Sequence, residues 1–163
     1  MMILSLLFPS ACGKKTDPNY PDQIELKKGS GSVDIPPGRN VTVRSTDSNT
    51  GYRVRFDQKD GKAFFYALGF HPRTGNKIML EMLLVYEQSP NSTQEKKQVE
   101  ILWSLDGKQT LLSVDGRPQA LLDFENEQGM CRTGEPRMAG PWSKRRVEWD
   151  EKLLDRFTNN LEK

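Results

Sequence analysis

Residues 51–125 form a block in which short apolar segments alternate with turn sequences. In the first segment Tyr52, Val54 and Phe56 alternate with charged residues, which is the pattern of a β-strand with one solvated face. Residues 99–105 repeat this alternation with Val, Ile, Trp and Leu at every second position. The block therefore predicts a β-sheet, and the remaining segments decide how it is arranged.

The two segments between these carry different apolar patterns. In residues 63–70 we expect the larger side chains to face inward and the row of small residues to lie close to another layer. Residues 77–87 are apolar on both faces, which is typical of a central strand in a covered sheet, although a short helix is the alternative for this run. The expected inward row of the earlier segment consists of Phe64, Tyr66, Leu68 and Phe70.

Asp-Gly pairs mark the turns. Such a pair favours a two-residue type I′ hairpin turn because both central positions need a positive φ angle. Pairs of this kind at residues 106–107 and 115–116 predict a three-stranded meander over residues 99–124. Pro118 lacks an amide donor, so we expect the third strand of the meander to begin at a sheet edge.

The alternation ends after residue 125. Residues 125–149 have the composition of an ordered loop, and Asp150 is placed to cap a helix over residues 150–161. The apolar face of that helix carries Leu153, Leu154, Phe157 and Leu161. We therefore predict a mainly β fold of the α+β kind: a single antiparallel meander sheet or open barrel of about 6–8 strands, with one C-terminal helix packed on it.

Residues 1–11 are an apolar run shorter than the about 20 residues of a transmembrane helix, but they suit the hydrophobic region of an export signal. The sequence Ser10-Ala11-Cys12-Gly13 resembles the lipobox of bacterial lipoproteins, in which the cysteine thiol receives a diacylglyceryl group. The chain departs from that pattern at Pro9, where leucine is usual, and in the lack of Lys or Arg before the apolar run. The alternatives are a buried first strand and a chance cysteine.

The lipobox resemblance implies a cellular location and a membrane anchor. Residues 1–11 would be removed as a lipoprotein-type signal peptide. Lipid chains on Cys12 would then hold the protein in a membrane, with each buried methylene contributing about 0.8 kcal/mol. Gly13 in place of aspartate implies the outer membrane of a Gram-negative cell, with the domain facing the periplasm.

The residues after the cysteine differ in composition from the central block. Residues 12–38 are rich in Lys, Asp, Pro, Gly and Ser, which predicts a flexible tether. Residues 23–27 and 40–44 carry enough aliphatic and β-branched residues for weak edge strands. Because 163 residues are of single-domain size, we place one β-rich globular domain at residues 39–163.

Charge and residue counts argue against several functions. The formal net charge is +2, too balanced to indicate a nucleic-acid partner. One histidine and two cysteines leave few ligands for zinc, so we expect no metal and no cofactor. His71 stands in a turn sequence with no second histidine and no nucleophile motif, which favours a surface turn residue over a catalytic base.

The most specific pattern lies in residues 103–133. It reads Trp-Ser-x-Asp-Gly at 103–107, Leu-x-Val-x-Gly-x-Pro-x-Ala at 112–120, Asp-Phe at 123–124 and Gly-x-Cys-Arg-Thr at 129–133. This pattern resembles a small bacterial β-rich domain family of unassigned function. The resemblance covers residues 51–157 and departs from the family at Gly134-Glu135-Pro136, where an aromatic residue and prolines are usual. It carries over no catalytic residues.

Asp123, Cys131 and Trp103 are the candidates in this region for a structural or a minor functional role. Arg132 beside Cys131 would favour a reactive thiolate, but we prefer a packed loop cysteine. For Asp123 we prefer a structural role, with hydrogen bonds from loop amides or from Arg132, over an acid–base role. If Cys12 is acylated, Cys131 has no disulfide partner in the chain; otherwise the two can pair in an oxidising compartment.

A group of basic and aromatic residues follows this region. Exposed Trp and Arg are enriched at binding hot spots, so we expect these residues, with the loop at 88–98, to form a contact surface for a protein. Packing of at least one tryptophan on the sheet is the alternative. The expected contact residues are Trp142, Lys144, Arg145, Arg146, Trp149 and Arg132.

Together these features predict an envelope-anchored lipoprotein that acts as a non-enzymatic protein-binding module. Its partners would be a protein and, through the lipid on Cys12, a membrane, but not nucleic acid. One version is an immunity or inhibitor protein against a periplasm-acting toxin. The alternatives are a structural accessory subunit of an envelope or secretion complex, and an envelope enzyme that uses Asp123 and Cys131 in a cleft.

Overall fold

Two five-stranded β-sheets dominate the computed structural model, which describes residues 22–28, 31–89, 95–134, 140–144 and 147–159. The strands are β1 (Asp22–Leu26), β2 (Ser32–Ile35), β3 (Val41–Thr46), β4 (Arg53–Lys59), β5 (Lys62–Phe70), β6 (Lys77–Glu87), β7 (Lys97–Trp103), β8 (Gln109–Val114), β9 (Arg117–Asp123) and β10 (Gln128–Cys131). A 3₁₀ helix (Pro141–Lys144) and helix α1 (Glu151–Asn159) follow them. The first sheet has the order β1-β3-β4-β5-β6, and the second has β10-β9-β8-β7-β2.

The inner faces of the two sheets form the main core. Phe56 and Phe65 of the first sheet belong to the same cluster of buried side chains as Trp103 and Leu112 of the second. The predicted mainly β fold with a C-terminal helix is confirmed. The strands form two sheets instead of the single sheet expected, because each sheet buries its apolar face against the other.

The folded region begins before residue 39. β1 and β2 lie within the predicted tether of residues 12–38, and they bring Leu26 and Ile35 into the core. β1 pairs in parallel with β3, and β2 pairs antiparallel with β7. Backbone pairing and two buried side chains thus order a segment of otherwise polar composition. The prediction of a flexible tether is therefore wrong for the strands β1 and β2. The predicted signal peptide and Cys12 lie outside the described residues.

The facing of β5 is the reverse of the prediction. Ala63, Phe65 and Ala67 are fully buried and point into the core. The row expected to face inward therefore lies on the outer face of the first sheet, and Phe70 at its end is 49% exposed. The inward row thus consists of the large ring of Phe65 flanked by two alanines.

β6 is a strand and not a helix, but it stands at the end of the first sheet instead of in its middle. The end of β10 and the residues after it cover the edge of β6. Cys131 Sγ and Thr133 Oγ1 both donate to the carbonyl oxygen of Leu84, at 3.0 and 2.8 Å. These contacts satisfy an edge carbonyl that would otherwise be open to another strand.

One of the two Asp-Gly turns has the predicted form. Both residues of the 115–116 pair have positive φ angles, 52° and 73°, as a type I′ turn requires. In the 106–107 pair only Gly107 has a positive φ, 69°. The amide of Ser104 donates to the Gln109 carbonyl at 2.9 Å, and this bond closes a wider loop of the four residues 105–108.

β10, at one end of the second sheet, lies in a segment that was predicted to be a loop. β10 pairs with β9 only from Ala120 to Asp123, so Pro118 at the start of β9 lies outside this pairing, in line with the predicted edge position. It also lies beside a register shift between Leu112 and Ser113, where irregular pairing accommodates its missing amide. Gly129 is needed within β10 because a Cβ atom there would lie 2.8 Å from Cγ of Glu81.

Helix α1 lies against the outer face of the second sheet, as predicted. Asp150 caps it: its Oδ1 accepts a hydrogen bond from the Lys152 amide at 2.9 Å. The fully buried Phe157 packs with Leu111 and Leu121 of the sheet. Residues 160–161, the predicted end of the helix, lie outside the described residues.

Candidate functional site

The predicted contact surface does not include Trp142. This side chain is 4% exposed and belongs to the main core, where its ring meets Phe124 edge-on at a centroid distance of 5.2 Å. The alternative that a tryptophan packs on the sheet therefore holds for this residue. The side chains of Lys144, Arg145 and Arg146 lie outside the described part of the chain.

Arg132 and Trp149 come together beside the start of α1. The Arg132 guanidinium lies 4.7 Å from the centroid of the Trp149 ring. Glu151 accepts hydrogen bonds from Arg132 Nη1 and Trp149 Nε1, and these bonds hold the pKa of Glu151 below its ordinary value. The three side chains thus bind one another and attach the helix to the second sheet.

Asp123 has a structural role, as we preferred. Its carboxylate accepts hydrogen bonds from Gln109 Nε2 and from the amide and side-chain nitrogens of Asn126, at 2.8 to 2.9 Å. Arg132, the other expected donor, bonds instead to the Pro118 carbonyl and to Glu151. Asp123 thus organises the turn between β9 and β10.

Cys131 does not share a cleft with Asp123. Cys131 pairs with Ala120 across β9 and β10, and Asp123 stands three residues further along the strand. Side chains three positions apart on a strand point to opposite faces of the sheet. Cys131 accordingly belongs to the core between the sheets and is buried there with a free thiol, whereas Asp123 lies on the face that carries α1.

Trp103 and His71 also have structural explanations. Trp103 Nε1 donates to Ser45 Oγ at 2.9 Å, and this buried bond joins the two sheets. His71 Nδ1 accepts from the amides of Arg73 and Thr74 at 3.3 Å, which makes it the predicted surface turn residue. Within the described ranges no group of three or more His, Cys, Asp or Glu side chains could hold a metal ion.

The outer face of the first sheet carries a surface that the sequence did not predict. Helix α1 covers the outer face of the second sheet, whereas in the described chain no helix lies on that of the first. Arginines of β3 and β4 stand there beside apolar side chains of β5 and β6. We call this surface the arginine face, and it comprises Arg44, Arg53, Arg55, Tyr66, Leu68, Phe70, Lys77 and Met79.

Two of the arginines are held against aromatic rings. The guanidinium of Arg53 lies 4.9 Å from the centroid of Phe70, and that of Arg55 lies 4.5 Å from the centroid of Tyr66. Arg55 Nε is also 2.9 Å from Asp57 Oδ2. Burial and the Asp57 carboxylate raise the pKa of Tyr66, so its ring is neutral beside the arginine. Stacking of this kind orients a guanidinium while leaving its outer edge free to bind.

The third arginine lies between a like charge and an opposite charge in the first sheet. Arg44 is directly opposite Arg55 in the pairing of β3 with β4, and directly opposite Glu25 in the pairing of β1 with β3. Arg44 is exposed and borders a cleft of about 730 Å³ that crosses the arginine face. Arg44 therefore adds a third arginine to the rim of this cleft.

The sequence offered only a weak signal for this face. Arg53 and Arg55 alternate with buried residues, which indicated an ordinary solvated side of a strand. Arg44 and Lys77 lie far from them in the chain, and strand pairing brings the four cations to one surface. The row Phe64, Tyr66, Leu68 and Phe70 carried a useful signal. If the other row of β5 faces the core, this row is an outer face, and it is unusually apolar for a face in contact with water.

Comparison with known proteins gives the family of the chain. The family described as "Uncharacterized protein conserved in bacteria (DUF2251)" matches residues 35–158. The chain belongs to this family. The resemblance to a small bacterial β-rich family of unassigned function is thereby confirmed, and all residues of the arginine face lie within the part that matches DUF2251.

A more specific comparison gives a relative in Haemophilus influenzae, described as an uncharacterized protein, which is 27% identical over 99 residues. The aligned region is 59% of this chain and 60% of the relative, so the chain spans about three fifths of the relative's length. No solved structure matches the chain. Among the helices of the described residues, none has both the length and the apolar character needed to cross a membrane.

Proposed function

We propose that the chain is an envelope-anchored, non-enzymatic protein-binding module that contacts its partner through the arginine face. The observation that carries this proposal is the combination of stacked arginines with the exposed Phe70 and half-buried apolar side chains, on a sheet face that no helix of the described residues covers. Arginine and aromatic residues dominate the energetics of protein interfaces. An apolar patch rimmed by polar groups also marks such interfaces on soluble domains.

The described residues give little support to the enzymatic alternative. Asp123 and Cys131, its proposed pair, lie on opposite faces of the second sheet. The carboxylate of Asp123 accepts hydrogen bonds from Asn126 in the adjacent turn and from Gln109 of β8. A binding role needs only the arginine face, and it is therefore the simpler proposal.

The envelope location rests on residues 1–13. An apolar run that ends in Ser10-Ala11-Cys12-Gly13 supports export and lipid attachment, and β1 begins only nine residues after Gly13. The domain would then sit close to the membrane with the arginine face available to a periplasmic protein. In the immunity version of this function, that protein is a secreted toxin; in the accessory version, it is a subunit of an envelope complex.

Affinity capture tests the binding part of the proposal. The full chain and its Arg44→Glu/Arg53→Glu variant are immobilised and exposed to an envelope extract of the source bacterium, and bound proteins are identified by mass spectrometry. We expect at least one protein to be retained by the full chain and reduced about tenfold or more on the variant, because the variant reverses two charges at the centre of the face.

Lys152→Glu is the matched control for this capture. Lys152 is an exposed residue of α1, remote from the first sheet, so reversal of its single charge should leave capture unchanged. A partner that is retained equally by all three proteins would place the contact elsewhere, and capture of no specific protein would contradict a binding module.

The anchor is tested separately. In a Gram-negative host we expect the mature protein to begin at an acylated Cys12, observed as an increase in mass on the amino-terminal peptide, and a Cys12→Ser variant to accumulate in its precursor form. An unmodified amino terminus at Met1 would contradict the anchor and leave the binding proposal intact.

A further inference from the structure

The cleft on the arginine face has more positive charge than the described residues neutralise. Four cationic side chains line it, Arg44, Arg53, Arg55 and Lys77, against a single carboxylate, Glu25. Within the described chain only Arg55 of these four forms an ion pair, with Asp57. The cleft is therefore complementary to an anionic ligand.

Most of the positive charge lies in one half of the cleft, and Lys77 of β6 adds a single charge to the other half. The three arginines come from β3 and β4, whereas Leu68, Phe70 and Met79 of β5 and β6 supply an apolar half. A ligand that fills both halves must carry acidic groups at one end and apolar groups at the other. Carboxylates suit the arginine half because a guanidinium binds them through two parallel hydrogen bonds.

The dimensions of the cleft suit a peptide segment. Its lining extends from β1 to β6, the whole width of the first sheet, which is about 19 Å at about 4.8 Å between strands. An extended chain advances about 3.3–3.6 Å per residue, so roughly five to six residues span this width. Stacking on Phe70 and Tyr66 already orients Arg53 and Arg55, which reduces the entropy lost when a ligand binds.

Resting on the proposed function, we infer that the cleft accepts a short extended segment of the partner protein, with Asp or Glu side chains against β3 and β4 and apolar side chains against β5 and β6. Phosphate groups of an oligonucleotide or of an anionic lipid would also attract the arginines. They would leave the apolar half without matching side chains, so the observations favour a protein segment.

Two synthetic hexapeptides test this inference. The first is acetyl-Asp-Glu-Asp-Leu-Leu-Leu-amide, and the second replaces the acids with Asn and Gln; both carry the same fluorophore and are titrated with the full chain by fluorescence anisotropy. We expect the acidic peptide to bind about tenfold or more tightly than the neutral one, and the difference to shrink as salt rises. Arg44→Glu/Arg53→Glu should abolish the difference, and Met79→Ser should weaken both peptides.

Lys152→Glu again serves as the control and should bind both peptides as the unaltered chain does. Because Arg44 is exposed and unpaired in the described residues, Arg44→Gln gives a second, milder variant if the double variant fails to fold. Equal affinity for the two peptides would overturn the inference. So would tighter binding of a six-nucleotide oligothymidylate or of phosphatidylglycerol vesicles than of the acidic peptide.

The peptide result is independent of the affinity capture. If a captured partner is lost on the Arg44→Glu/Arg53→Glu variant while neither peptide binds, the binding function stands and the acidic segment is wrong. If the acidic peptide binds as expected while no protein is captured, the cleft has the inferred chemistry and the proposed protein partner is contradicted.

Discussion

Replacing Trp103 by alanine is expected to lower the free energy of unfolding by about 3–5 kcal/mol, the range for large aromatic side chains removed from a core. Trp103 is buried between the sheets, and its ring lies 6.0 Å from that of Phe124. Its Nε1 donates to Ser45 Oγ, so the substitution removes both apolar packing and a polar bond between the sheets. The midpoint and slope of guanidinium unfolding measure the loss.

Leu105→Ala is the control for this substitution. Leu105 is two residues away and 48% exposed, so its truncation should change the free energy of unfolding by no more than about 0.5 kcal/mol. Ser45→Ala should cost about 1–3 kcal/mol, because it leaves the indole N–H buried without its acceptor. Similar losses for Trp103→Ala and Leu105→Ala would show that Trp103 does not join the sheets.

The sequence predicted the strands of this fold better than their arrangement. Alternation of apolar residues and Asp-Gly turns are local features, and they correctly indicated β4 to β9. The Asp-Gly turns also indicated the pairing of β7 with β8 and of β8 with β9. The division into two sheets depends on pairing between strands that no short turn connects, such as β1 with β3 and β2 with β7, and local features do not encode it. The inward row of β5 was assigned wrongly because both of its faces carry apolar residues, and only the opposing sheet decides which is buried.

The prediction for Trp142 was wrong for a related reason. Trp142 looked exposed because basic residues follow it in the chain, but a bulky ring is placed by the space available in the core. The arginine face was not predicted because its residues come together only through strand pairing. Arg44 lies opposite Arg55 across β3 and β4, and Arg53 lies opposite Leu68 across β4 and β5. Each residue alone is an ordinary side chain on the solvated side of a strand.

Asp47 was also not predicted, although it organises the turn between β3 and β4. It is fully buried, and its Oδ2 accepts hydrogen bonds from the Thr50 amide at 2.8 Å and the Thr50 hydroxyl at 2.9 Å. Lys28 Nζ lies 2.9 Å from the other carboxylate oxygen. A Cβ atom on Gly107 would be 2.2 Å from Oδ2, so the β7–β8 loop closes directly over the carboxylate.

Asp47→Ala is therefore expected to lower the free energy of unfolding by about 2–4 kcal/mol, since it leaves buried donors without an acceptor and Lys28 without its partner. Asp34→Ala is the matched control. Asp34 pairs with Lys96 in an exposed ion pair, and loss of such a pair changes stability by at most about 1 kcal/mol. Chemical unfolding at neutral pH compares the two, and equal losses would contradict the role of Asp47.

The effect of Asp47 also has a defined pH dependence. Burial raises the pKa of Asp47, but the hydrogen bonds from Lys28 and Thr50 outweigh burial and hold the pKa below its ordinary value of 3.8. A carboxyl whose pKa is lower in the folded state stabilises the protein above the unfolded-state pKa and loses this contribution as the pH falls through the folded-state value. The stability difference between the unaltered chain and Asp47→Ala should therefore be constant well above pH 3.8 and shrink below it. A difference that grows on acidification would mean that burial dominates and that the carboxyl is held in its neutral form.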